Sequence, residues 1–301
     1  MSKECILCNS SKLIKKKSFS ASEIRDKYSS FLLDFNIDIF FEEDTLTLMQ
    51  CGDCSIQFFE GAKPGDGLFY EKLQQFDWYY EQDKPEFDYV IDKIIDLKPY
   101  HILEVGAGKG AFLDKIKDAY KVKASEFNEI AIQVLQEKDI ELDMDEDKYD
   151  MIVSFQVLEH VESPGEFLQT QLNKLVPGGY LIAMVPNNDS DYMKYLDDSN
   201  ILDFPPHHWT RWNKNTLLNI ANLYDLELVD YYEEKIRLVH YEQIIEYIRR
   251  QLPLYGLFEN VERIESQKEL IKIINKSILP FEYLKNNLIG HTHGVVLRKK
   301  I

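Results

Sequence analysis

The residue types with the plainest chemistry in this 301-residue chain are its four cysteines, which form two Cys-x-x-Cys pairs, Cys5/Cys8 and Cys51/Cys54. Each pair can offer two thiolates to one ion from a single turn, and two pairs complete a tetrahedron. A redox dithiol needs only one pair, and disulfides are rare inside cells. The spacing therefore predicts a zinc site. Four thiolates leave no coordination position for water, so the expected zinc is structural.

A second chemistry lies in Ile102-Leu103-Glu104-Val105-Gly106-Ala107-Gly108-Lys109-Gly110, an apolar strand running into alternate glycines. Glycines there let the backbone turn sharply and approach a ligand, while a following helix points free N–H groups at it. The next apolar run ends in Ser125-Glu126-Phe127-Asn128, and an acidic residue at such a strand end can hold both hydroxyls of a ribose. Gly106, Gly108 and Ala111 also satisfy Gly-x-Gly-x-x-Ala, so the glycines alone leave a nicotinamide cofactor open.

Proton transfer near neutral pH is the natural work of histidine. Of seven, His207 and His208 stand out in Phe204-Pro205-Pro206-His207-His208-Trp209-Thr210-Arg211-Trp212, a rigid aromatic loop after an apolar strand. His208 is the first candidate for a general base, and His160, in Leu158-Glu159-His160-Val161, the second. Trp209 and Trp212 are expected either to stack on a ring-shaped ligand or to anchor the loop. Tyr79 and Tyr80 are candidates for the cavity lining or for packing. His101, His240, His291 and His293 read as structural or surface positions.

These groups need elements to hold them. Residues 1–60 read as a zinc-binding module with a helix over 22–35 and a strand into the second cysteine pair, and Lys15, Lys16 and Lys17 as a solvated loop. Residues 61–99 form a linker and a helix (85–97). From residue 100, strands over 101–105, 121–126, 149–155 and 179–185 alternate with helices over 111–119, 129–136, 164–175 and 215–223, which predicts a mostly parallel sheet covered on both faces. Two last strands, 227–232 and 294–298, flank a helical insertion over about 234–288. Its apolar face (Ile236, Val239, Ile244, Ile245, Ile248) suits a lid or a homodimer. A net charge of −17, from 52 acidic and 35 basic residues, disfavours nucleic acid. Neither a membrane span nor a signal peptide is evident, so a cytoplasmic protein acting on a small molecule is expected.

Three runs carry a family resemblance. Glu104-Val105-Gly106-Ala107-Gly108-Lys109-Gly110 resembles the first motif of class I S-adenosylmethionine methyltransferases. Residues 149–161, ending in Leu158-Glu159-His160-Val161, look like their fourth-strand motif, and Pro177-Gly178-Gly179 is similar to their turn into the fifth strand. The resemblance implies a Rossmann-like α/β sheet in which Gly106, Ala107, Gly108 and Gly110 approach the methionine moiety and Glu104 its ammonium group. It implies further that Glu126, with Phe127, takes the ribose, that Gln156 lies where cofactor meets acceptor, and that residues 143–147 reach the adenine. The cysteine module and the histidine loop together resemble sugar methyltransferases with a zinc-binding N-terminal domain, whose proposed base matches His208. Where those proteins have a glutamate and a tyrosine, this chain has His207 and Pro205. That departure favours a sugar hydroxyl as acceptor, on a nucleotide sugar or a surface-glycan or capsule precursor. A macromolecule recruited by the zinc module is the alternative. Methylation of base amines is disfavoured, because Gln156-Val157-Leu158-Glu159 stands where an Asn/Asp-Pro-Pro-Tyr run is usual.

Overall fold

A computed structural model describes residues 3–76, 79, 83–144, 146–196, 198, 200–240, 243–244 and 288–301. Most of the expected insertion, with Ile245, Ile248 and also Tyr80, lies outside the described residues.

The chain opens with β1 (Leu13–Ser20), α1 (Ala21–Ser29), β2 (Thr45–Cys51), β3 (Gln57–Glu60) and α2 (Gly67–Leu73). Then come α3 (Pro85–Leu97), β4 (His101–Val105), α4 (Leu113–Ile116), β5 (Lys121–Ser125), α5 (Glu129–Glu137), β6 (Glu141–Leu142) and β7 (Tyr149–Phe155). The remainder is α6 (Pro164–Lys174), β8 (Leu175–Pro186), α7 (Asp191–Leu196), β9 (Thr210–Arg211), α8 (Lys214–Leu223), β10 (Leu226–Lys235) and β11 (Ile289–Lys299). Among the described residues, seven strands form one sheet in the order β10-β11-β8-β7-β4-β5-β6. Its centre is parallel, and β11 enters antiparallel between β8 and β10. Strands leave β4 in opposite directions, to β5 on one side and β7 on the other. Such a switch point opens a crevice at the carboxyl ends of the strands.

Period-two alternation sorts the sheet's side chains between two cores. Ile102, Val153, Ile182 and Val296 pack with Phe87, Val90 and Ile94 of α3 and Leu113 of α4 on one face. Leu103, Ile152, Leu181 and Leu297 pack with Leu172 of α6 and Leu217 and Ile220 of α8 on the other. Boundaries are set locally. Pro85 and Pro164 open α3 and α6, where the missing N–H costs nothing. The Asn128 and Asn213 side chains accept the Ala131 and Thr216 N–H groups (2.9 Å each) and cap α5 and α8.

The N-terminal segment builds a second sheet, β1-β2-β3-β9. Lys15–Lys17, expected as a loop, lie in edge strand β1, because β2 supplies a ladder from Leu13↔Cys51 to Ser20↔Thr45. Lysines on an edge strand discourage further pairing. The expected helix over 22–35 is shorter and begins at Ala21, followed by turns and a 3₁₀ segment, Ile37–Phe40. The fourth strand, β9, comes from the histidine loop, with Gln57↔Arg211 and Phe58↔Thr210 pairing β3 to it. Phe58 faces the sheet core shared with Leu103 and Val105, whereas Phe59 faces the module's own core with Leu46, Tyr28 and Phe204. Among the described residues no helix is long and apolar enough to cross a membrane.

Gly294 faces Met184 across the β11–β8 ladder, where an added Cβ would lie 2.6 Å from the Ala183 carbonyl oxygen and 2.1 Å from Met184 Sδ. Gly294→Ala is expected to cost about 2–3 kcal/mol through overpacking, seen as a lower urea midpoint at unchanged slope.

Candidate active site

The turn after β4 holds Gly106, Gly108 and Gly110 at φ of +70°, +52° and +75°, a left-handed region that glycine enters without penalty. At Gly106 a Cβ would also meet Val157 Cγ2 at 2.6 Å. The Gly106 N–H donates to the Ser125 carbonyl (2.8 Å), which stitches the turn to the end of β5. There Glu126 is fixed by three backbone donors: Gly108 to Oε2 (2.8 Å), and Phe127 and Asn128 to Oε1 (2.8 and 2.9 Å). The carboxylate is thus pre-aimed before any ligand arrives, with acceptor capacity left on Oε2.

Glu104 sits on β4 one residue before the bend, 4 % exposed, and its Oε2 has no hydrogen-bond partner. Burial pushes its carboxyl well above the usual range, Lys84 draws it down in part, and Glu126 adds to the rise. A buried oxygen without a donor is a place for a donor to come. A primary ammonium group fits it.

Both carboxylates, the glycine turn and Gln156 line one cavity of about 730 Å³. Gln156 follows β7 at φ +56°, its N–H donating to the Met184 carbonyl (2.8 Å). Phe127 and Tyr79 line the same space. Residues 143–147, expected to reach an adenine, are placed otherwise. Asp143 pairs with Lys174, Asp147 holds Lys123 at 2.7 Å, and none of the described residues there lines the cavity.

The structure brings His160, His207 and His208 together in this cavity. Their ring centroids are 4.5–5.1 Å apart. His160 Nδ1 donates to the His207 carbonyl (2.6 Å), His207 Nδ1 to the Leu202 carbonyl (2.9 Å), and His208 Nδ1 lies 3.3 Å from Asp203 Oδ1. Burial lowers all three imidazoles, His160 to about 4 and the others well below their ordinary range, so the rings are neutral at pH 7. The loop that carries two of them is clamped from both sides. Tyr28 and Tyr70 donate to the Phe204 and His207 carbonyls (2.8 and 3.2 Å), and the Trp209 N–H donates to the Glu159 carbonyl (2.7 Å). The Arg211 guanidinium lies over the Phe59 and Phe204 rings, 5.1 Å from each centroid. Trp209 and Trp212 do not face the cavity but bury in the two cores beside the loop, so anchoring is their role.

Sequence reasoning missed Asp203, Lys84, Glu86, His291 and Thr292, all of which except Asp203 line the cavity. Asp203 belongs to a short 3₁₀ turn with no motif of its own, and His291 and Thr292 arrive on the last strand, far from the motifs in sequence. Glu159, read only as part of Leu-Glu-His, is buried with neither carboxylate oxygen hydrogen-bonded.

Cys5, Cys8, Cys51 and Cys54 are free thiols whose sulfurs all lie within 4.8 Å of one another. Cys5–Cys54 and Cys8–Cys51 separations are 3.5 and 3.6 Å, close to the ~3.8 Å edge of a tetrahedron with Zn–S bonds of about 2.3 Å. The Leu7 N–H points at Cys5 Sγ, and the Asp53 and Cys54 N–H groups at Cys51 Sγ (3.4–3.5 Å), donors that would stabilise thiolates.

Residues 74–231 match the family model described as a methyltransferase domain. The ubiquinone biosynthesis O-methyltransferase of Rickettsia typhi is 26 % identical over 38 % of this chain and 63 % of that protein. The protein of the same name from Rickettsia bellii is 27 % identical over 38 % and 65 %. The chain thus spans less than two thirds of the length of either relative. A SAM-dependent methyltransferase structure from Archaeoglobus fulgidus superposes with a TM-score of 0.44 at 18 % identity, covering 71 % of this chain and 94 % of that one. The family match sets aside the nicotinamide alternative that the glycines left open. With the switch-point crevice, the glycine turn and its acidic partners all in place, the chain belongs to the methyltransferase domain family and carries the class I sheet.

Proposed function

We propose that this protein methylates a hydroxyl of a sugar, carried on a nucleotide or a surface-glycan or capsule precursor. The observation that supports this most is one cavity offering two unlike sets of groups. The glycine turn with Glu104 and Glu126 suits a cationic amino acid joined to a ribose, and a cluster of neutral imidazoles backed by Asp203 suits an acceptor hydroxyl. The rickettsial relatives, named as O-methyltransferases, favour oxygen as the acceptor atom. The sugar reading rests on the cysteine module and histidine loop taken together. Residues 1–60, completed by β9, act as the module that shapes the acceptor side, and the four cysteines hold a structural zinc.

S-adenosylmethionine supplies a methyl group on a sulfonium, so the departing thioether is neutral and needs no protein acid. The chain's task is alignment and management of one proton. Glu104 would pair with the ammonium group and Glu126 with the ribose hydroxyls, and Gly106, Ala107 and Gly108 would let the backbone approach, whereas Gly110, expected beside them, packs against Leu135 and Ile140. Gln156 bridges the two ends, its Nε2 donating to Thr292 Oγ1 at 3.5 Å. His208, with Nδ1 directed to Asp203, keeps a lone pair on Nε2 and can take the hydroxyl proton, while His160 and His207 hold the acceptor in place.

Calorimetric titration with S-adenosylhomocysteine, followed by mass spectrometry of nucleotide sugars incubated with enzyme and S-adenosylmethionine, tests the reading. Micromolar binding lost in Glu126→Ala, with one methyl group gained by a nucleotide sugar and retained on its sugar fragment, is the expected result. Methylation of phenols with none of sugars would overturn the acceptor class. Absence of S-adenosylhomocysteine binding by folded protein would overturn the assigned cofactor residues.

A further inference from the structure

We infer that His160, His207 and His208 form a second metal site, distinct from the cysteine module, that holds a divalent transition ion beside the acceptor. One ring nitrogen of each lies within 4.8 Å of those of the other two. A bound ion with M–N bonds near 2.1 Å needs them about 3.4 Å apart. The two segments that meet here are rigidly tied, since the Thr210 hydroxyl donates to the Leu158 carbonyl (3.1 Å) and the Trp209 N–H to the Glu159 carbonyl.

The hydrogen bonds decide which nitrogen faces the ion. A carbonyl oxygen only accepts, so His160 Nδ1 and His207 Nδ1 must carry their protons, while His208 Nδ1 lies 3.3 Å from Asp203 Oδ1. The neutral rings of His160 and His207 then have their lone pairs on Nε2. His207 Nε2 is buried without a hydrogen-bond partner. Metal-ligating histidines show this pattern, the far nitrogen being held by a carbonyl or carboxylate that sets the tautomer. Glu159 adds to it. Its Oε1 lies 3.9 Å from His160 Nε2, and both of its buried oxygens lack partners.

Three imidazoles select ions such as Fe²⁺, Co²⁺, Ni²⁺ or Zn²⁺ over Mg²⁺, and a neutral ligand set leaves the ion its full charge. Three protein ligands also leave positions open, which marks a catalytic rather than a structural site. Adjacent hydroxyls of a sugar fit those positions, and an alcohol bound there is more acidic, its proton leaving to water. This inference rests on the proposed placement of the acceptor and replaces the proton-accepting role of His208, because one lone pair cannot serve both.

The test uses full-length protein with its cysteine site zinc-filled, titrated with Co²⁺ and followed by metal analysis, visible absorption and electron spin-echo modulation. A second equivalent is expected, with imidazole nitrogen couplings and without thiolate charge-transfer bands. His207→Ala should weaken it at least a hundredfold while the zinc content and S-adenosylhomocysteine affinity hold, because the His207 carbonyl that His160 needs belongs to the backbone. His160→Ala should do the same. A wild type that takes up no second equivalent would overturn the site, as would a second equivalent with sulfur signatures or with unchanged affinity in both variants. S-adenosylhomocysteine binding without a second metal sinks this inference alone. A second metal without S-adenosylhomocysteine binding sinks only the cofactor assignment.

Discussion

Glu104→Gln is expected to weaken S-adenosylhomocysteine binding about a hundredfold and, in the same protein, to raise the stability of the ligand-free form. The substitution keeps shape and volume, so the two effects isolate charge. In the free protein the carboxylate is buried with Oε2 unpartnered, and burial lifts its pKa. A carboxyl raised on folding favours the native state at low pH, and that contribution is lost as pH climbs through the raised value. At neutral pH Glu104 therefore costs stability, and glutamine removes the cost. In the complex the ligand's ammonium group supplies the missing donor, and a desolvated charge pair broken on one side loses about 3 kcal/mol, or a hundredfold. Ligand binding should also release a proton, since the ammonium pulls the raised carboxyl back down. Calorimetry in two buffers of different ionisation enthalpy reads that release, and affinity should fall as pH drops below the raised pKa of the free protein. Neither effect should appear in the glutamine variant. A variant that binds normally would show that the ammonium lies elsewhere.

Cys54→Ser is expected to lower stability by about 5 kcal/mol. Cys54 is 2 % exposed and packs, with Cys5, Cys51, Ile56 and Phe58, in the same cluster as Leu103 and Val105 of β4. Losing one thiolate of a four-thiolate zinc site forfeits much of the folding energy that such a site provides. For a chain of this size a loss of about 5 kcal/mol lowers the melting temperature by roughly 10 °C. Scanning calorimetry with zinc analysis measures both. Because the core is continuous, deletion of residues 1–60 should abolish S-adenosylhomocysteine binding too. A truncated protein with full affinity for that ligand would show the two parts to be independent.

What could be read in advance follows from how local each signal is. β4 and β7 begin and end where expected because buried parallel strands are unbroken apolar runs bounded by turns. The glycines, Glu104 and Glu126 were legible because a bend, a strand end and an acidic residue lie within a short span. β1 was not, since a run of lysines with no alternation becomes a strand only through its partner. β9 spans two residues and exists only because β3 lies beside it. The histidines were legible one by one but not as a cluster, because Asp203 and the Leu202 carbonyl, which orient their rings, act across a fold in the loop. His291 and Thr292 reach the cavity from the far end of the chain, beyond any local pattern.

The pairing of β9 with β3 has a consequence for recombination between relatives. A crossover placed between residues 60 and 201 separates the two halves of one hydrogen-bonded ladder and sets Phe59 of one parent against Phe204 of another. Chimeras intended to exchange acceptor preference should therefore inherit residues 1–60 and 201–212 from the same parent. The stretch between them meets both, through Leu103 and Val105 against Phe58 and through Tyr70 donating to the His207 carbonyl, so those contacts have to be kept.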